Sequence, residues 1–111
     1  MILSFNNIEK VAVKNLRGGD GTVYLQKVNP TLCNMKMYAK ITIPTGASIG
    51  SHVHEVDEET YVVISGKGIL IIDGKETEVN VGDISLCKKG RNHGIKNIDQ
   101  EDLVLIAVVN E

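Results

Sequence analysis

The chain is cut into short apolar runs by turn residues: VAVKNL, TVYLQKV, MKMYAKITI, ETYVVISG, GILIID, ETEV, ISLC, HGIKNI and DLVLIAVV. These runs are rich in Val and Ile, whose branched Cβ suits a pleated strand. Between them stand RGGDG, Asn29-Pro30, Pro44, and Asp73-Gly74, the last a two-residue hairpin signal. No long stretch carries the 3.6-residue period of an amphipathic helix. DLVLIAVV is compatible with a buried helical turn by periodicity alone, but its β-branched content favours a strand. Many short strands with Gly-rich turns predict an all-β sandwich or barrel, and a jelly roll hides most of its own edges.

With 111 residues the sequence holds one domain, residues 1–111, and leaves little room for a second. A net charge of -2 gives no basic field for nucleic acid or an anionic membrane, so neither is an expected partner. No apolar run approaches the roughly 20 residues that cross a bilayer. The opening MILSFNNIEK lacks the basic and apolar regions of a secretory signal. Cys33 and Cys87 are too few for a disulfide scaffold and have no zinc-finger spacing. Two free thiols in a reducing cytoplasm are expected.

Within GASIGSHVHEVDEETYVVISG, His52 and His54 lie two apart, and residues two apart on a strand share a face. Glu59 follows a short acidic turn, and on its strand Glu59, Tyr61 and Val63 share one face. A hairpin between the two segments would return Glu59 to the histidines. His93 stands after another strand and turn, in GRNHGIKN. Two or three neutral imidazoles with a carboxylate make a site for a divalent transition metal. The alternative is a set of exposed polar residues at strand ends. Glu55, Asp57 and Glu58 read as the solvated outside of the His-to-Glu turn.

The wider spacing resembles the cupin family. Its first motif, G-x5-H-x-H-x3,4-E-x6-G, is filled by Gly46, His52, His54, Glu59 and Gly66. Its second, G-x5-P-x-G-x2-H-x3-N, is filled by Gly82, Gly90, His93 and Asn97, with Lys88 at the proline position. The motif region, 46–97, covers about half the chain. The resemblance implies a cupin jelly-roll barrel, or double-stranded β-helix, with little or no helix. It implies metal ligation by His52, His54, Glu59 and His93. Manganese or iron would be the favoured ion, with zinc, nickel, cobalt and copper as alternatives. Small cupins also pair as homodimers, and VAVKNL or TVYLQKV could add to a partner's sheet. Gly66 and Gly68 are expected to bracket a tight turn, and Asn97 to hold the backbone around the second histidine strand.

An octahedral ion with four protein ligands keeps two positions for a chelating molecule. The first functional expectation is a metal-dependent oxidoreductase or lyase, such as a dioxygenase or decarboxylase, or an isomerase, acting on a small polar and carboxylate-bearing molecule. The second is a non-catalytic module in which metal and cavity hold a small-molecule ligand. Tyr61 and Arg91 are candidate substrate-positioning residues. Their bland counterparts are a packed core tyrosine and a solvated loop charge, the latter shared with Lys88 and Lys89. Aromatic content of 4% with no tryptophan argues against a sugar-stacking site.

Overall fold

A computed structural model describes all 111 residues. Ten strands make up the fold: β1 (Val11–Lys14), β2 (Thr22–Lys27), β3 (Met37–Ile43), β4 (Ser48–Val53), β5 (Glu58–Ser65), β6 (Lys67–Ile72), β7 (Lys75–Asn80), β8 (Ile84–Cys87), β9 (Asn92–Lys96) and β10 (Leu103–Asn110). The only helical pieces are three-residue 3-10 turns at Phe5–Asn7, Leu16–Gly18 and Pro30–Leu32. No helix is long and apolar enough to cross a membrane.

Two antiparallel sheets face each other, one in the order β1-β2-β3-β10-β5-β8 and one in the order β4-β9-β6-β7. The central strands β5 and β10 alternate most clearly: in β10, Leu103, Leu105, Ala107 and Val109 are buried while the residues between them are half-buried. Val23, Ile41, Ile43, Val63 and Ile95 complete the core between the sheets. This is the all-β jelly roll that the sequence predicts.

The Asp73-Gly74 turn joins β6 to β7 with both residues at positive φ (49° and 83°), as a two-residue hairpin of matching twist requires. The chain passes from one sheet to the other at Gly66. A Cβ there would run into the Asp102 carbonyl oxygen, and φ is 75°. Gly68 does not belong to this turn. It lies within β6, where Leu103 packs against it. Asn97 is 1% exposed; its Nδ2 donates to the Ile43 and Glu101 carbonyls (2.9 and 2.8 Å), and its Oδ1 accepts from the Asp99 amide. It ties the chain after β9 to the end of β3, which bears out the backbone-holding role.

The expected hairpin between the His52 and Glu59 segments does not form. β5 already has β10 on one edge and β8 on the other, so β4 pairs instead with β9 in the opposite sheet. Glu59 meets the histidines across the space between the sheets.

Candidate metal centre

The inward line of β5 runs Val63, Tyr61, Glu59, from apolar core to ionisable site, all at most 5% exposed. On the facing sheet a one-residue register shift separates Ile49, opposite Ile95, from His52, opposite His93. Such a bulge reverses the inside-outside parity of a strand. It allows Ile49 and His52, three residues apart, both to face inward. Gly94 accommodates the extra residue, since a Cβ there would lie 2.8 Å from the Ser51 amide nitrogen. His54 follows just past the strand end, where its amide donates to Arg91 O and its carbonyl accepts from Gly90 N.

His52, His54, Glu59 and His93 therefore converge, with one donor atom from each lying within 4.8 Å of the others. Glu59 Oε1 is 3.7 Å from His52 Nε2, 3.0 Å from His54 Nε2 and 2.9 Å from His93 Nε2. Nitrogen and oxygen ligands about 2.0–2.2 Å from an ion stand about 3 Å apart when they meet at right angles. The spacing suits a metal ion.

The hydrogen-bond partners point the same way. His54 Nδ1 donates to Asp57 Oδ1 at 2.7 Å, and His52 Nδ1 donates to Gly50 O at 2.8 Å. Both acceptors lack a hydrogen, so each neutral ring carries its proton on Nδ1 and presents a lone pair at Nε2. Those lone pairs face a carboxylate oxygen. Lone pairs aimed at one another repel unless a cation stands among them, and a divalent ion there would supply that charge. His93 is fully buried and its Nδ1 has no partner. Its ring is held by stacking on Tyr61, with centroids 4.7 Å apart and planes at 13°.

Burial alone would raise the Glu59 carboxyl, but without an ion in place the surrounding imidazoles of His52, His93 and His54, in their protonated forms, outweigh burial and hold it at about 2. Burial lowers His93 below the ordinary imidazole value, which favours the neutral, ligating form. Burial, and then the Glu59 charge, push the Tyr61 phenol well above its ordinary value, so it stays protonated.

Tyr61 lines the cavity above this cluster while packing as a core residue, 2% exposed. Arg91 is not brought to the cluster. Its side chain is 61% exposed and pairs with Asp73 at 2.6 Å on the outer surface. Lys88 likewise faces Glu58, at 3.7 Å. The cations that line the cavity are Arg17 and Lys27, distant in sequence from the motif and without its spacing as a signal. Leu25, Ile41, Ile49 and Met37 form apolar walls around about 170 Å³ of space.

Asp57 also departs from its expected place in solvent. It bridges His54 Nδ1 and Lys36 Nζ (2.7 and 2.8 Å), and Lys36, then His54, hold its carboxyl below the usual range. Its place three residues after His54 is the sequence signal that singles it out. Carboxylates that orient ligating histidines typically contribute 10- to 100-fold to metal affinity. Asp57→Asn is expected to weaken metal binding by about that factor, read by competition with a chelating dye.

Comparison with known proteins agrees with the geometry. Residues 39–109 match the family described as Cupin domain, and the chain belongs to that family. The chain is 30% identical over 112 aligned positions to an oxalate-binding protein of Thermotoga maritima, covering 98% of this chain and 93% of the relative. A crystal structure of a predicted oxalate decarboxylase from the same organism superposes with a TM-score of 0.95 at 28% identity, covering 99% and 98% of the two chains. An uncharacterized conserved protein with a double-stranded β-helix domain from Klebsiella pneumoniae gives a TM-score of 0.73 at 26% identity, over 98% of this chain and 88% of that one.

Proposed function

We propose that this cupin uses a divalent transition ion, held by His52, His54, Glu59 and His93, to capture a small carboxylate-bearing molecule of the oxalate class. The observation that carries the reading is the convergence of imidazole lone pairs and one carboxylate oxygen at the base of an apolar-walled cavity. The relative named for oxalate binding supports the ligand class. Bound there, the ion supplies a Lewis-acid centre for a chelating ligand. The protein's own groups orient the imidazoles through Asp57 and Gly50 and exclude water with Leu25, Ile41 and Ile49. Manganese or iron is the proposed ion, on the family's ligand set.

Holding the ligand, rather than turning it over, is the function the cavity supports best. Glu59 is the one carboxylate that lines it, and it is a ligand; Tyr61 is the one hydroxyl. The second reading, a metal-dependent lyase or oxidoreductase, is favoured by that same Tyr61 phenol, which is protonated and stacked on a ligand ring. The edge strand β1, with Val11 half exposed, is the proposed contact for a second copy, and the free thiols Cys33 and Cys87 support a reducing cytoplasm.

Calorimetric titration of oxalate into manganese-loaded and metal-stripped protein tests the proposal, with the products assayed with and without oxygen. Saturable binding that needs the metal and yields no product supports a holding function. Turnover lost on stripping moves the assignment to the enzyme. No binding and no turnover in the loaded protein contradicts both.

A further inference from the structure

We propose that Arg17 is the specificity-determining residue of this cavity: its guanidinium takes the outer, anionic end of a ligand whose inner end is chelated at the histidine-glutamate centre. The inference rests on the carboxylate-binding reading above. Its first support is the state of the side chain. The chain has two arginines, and Arg91 is committed to Asp73. Arg17 lines the cavity beside His52, His54 and Glu59, and no carboxylate or side-chain hydrogen bond engages it. A planar fork of donors at the mouth of a site is matched to a carboxylate's two oxygens, which it binds in bidentate fashion. Lys27, also on the lining, adds a point charge of the same sign.

The second support is the backbone. Arg17 sits at φ 55°, ψ 30°, a left-handed conformation in the middle of the Leu16–Gly18 turn. A residue with a long side chain adopts it only against steric strain, and such strain clusters at ligand-gripping sites. Asn15, Gly18 and Gly21 nearby also have positive φ, so the neighbouring left-handed positions are filled by asparagine and glycine, which tolerate that backbone better than arginine does. Keeping arginine at the strained position is accounted for if its head group is needed.

The third support is how the turn is seated. A Cβ on Gly50 would run into the Arg17 carbonyl oxygen, and a Cβ on Gly19 into that of Ser48. The turn therefore lies directly against β4 at the bulge. The same Gly50 accepts the Nδ1 hydrogen bond of His52. One glycine fixes both the strained turn and the ligand imidazole, so Arg17 and His52 are positioned as a unit.

Manganese-loaded wild type, Arg17→Gln, Arg17→Lys and Arg17→Gly are to be titrated with oxalate and with acetohydroxamate. The second probe chelates through two oxygens and presents a methyl group outward. Arg17→Gln is expected to lose oxalate affinity about 10- to 100-fold, the scale of a charge-assisted hydrogen-bonded pair. Its acetohydroxamate affinity and manganese content are expected to stay within about threefold of wild type. Arg17→Lys should recover part of the loss, because it keeps the charge without the fork. Arg17→Gly should lose oxalate affinity like Arg17→Gln while its Tm is no lower than wild type, because glycine accepts the left-handed backbone. This variant keeps the test decisive if Arg17→Gln folds poorly. Wild-type oxalate affinity in Arg17→Gly, or equal loss for both probes, overturns the inference and leaves the metal centre standing. Loaded wild type that binds neither probe overturns the centre's function, and the inference with it.

Discussion

Removing the divalent ion is expected to lower the Tm by about 15 °C, with full recovery on reloading. A ligand present at a thousand times its Kd stabilises the folded state by about 4 kcal/mol. At about 2.1 cal/mol/K of unfolding entropy per residue, a chain of this size shifts by about 4 °C per kcal/mol. The metal-free state also keeps an internal cost. Glu59 and His93 are almost wholly buried, and the lone pairs of His52 and His54 face a carboxylate oxygen at 3.7 and 3.0 Å. Differential scanning calorimetry of stripped and reloaded protein checks this. An unchanged Tm would mean that the four side chains form a finished polar cluster without an ion.

The second large effect is expected from His93→Ala. The ring is fully buried, lies directly opposite His52 in the β4–β9 register, and has its Nε2 2.9 Å from Glu59 Oε1. Metal affinities worth about 10–16 kcal/mol, shared over four ligands, assign about 3 kcal/mol to each. The variant should therefore bind metal about 10²- to 10³-fold more weakly. Chelator competition monitored by fluorescence gives the number. Retention of affinity within a few fold of wild type would remove His93 from the ligand set. Loss of the ring also frees Tyr61 of its stacking partner, so near-ultraviolet circular dichroism is expected to change even in the metal-free protein.

Much of this architecture is legible in the sequence because its signals are local. Asp73-Gly74 demands a tight hairpin whatever surrounds it, and the alternation of β10 reads directly as one buried face. The four converging residues are legible for a different reason: histidines two apart, then a glutamate, then a histidine beside Asn97, form a spacing that resembles a family.

What the sequence hides is set by non-local pairing. Nothing in ISLC or DLVLIAVV announces that these two runs flank ETYVVIS, yet they occupy both its edges and send β4 to the other sheet. The bulge at Gly50-Ser51 is equally silent, though it decides that His52 faces inward with Ile49. Charge is the clearest case. Lys88 and Arg91 lie near His93 along the chain but reach Glu58 and Asp73 on the outside, whereas Arg17 and Lys27 arrive at the cavity from β2 and the turn before it. Sequence proximity says little about which way a side chain on a loop points. Asp57 is masked by its acidic neighbours, from which its place three residues after His54 and its contacts to His54 and Lys36 set it apart.

The most direct test of the whole account is elemental analysis of protein purified without added metal or chelator, beside His54→Ala prepared in the same way. The account predicts close to one transition-metal ion per wild-type chain and a small fraction of that in the variant. No bound metal in the wild type, even after reloading with manganese or iron, would contradict it.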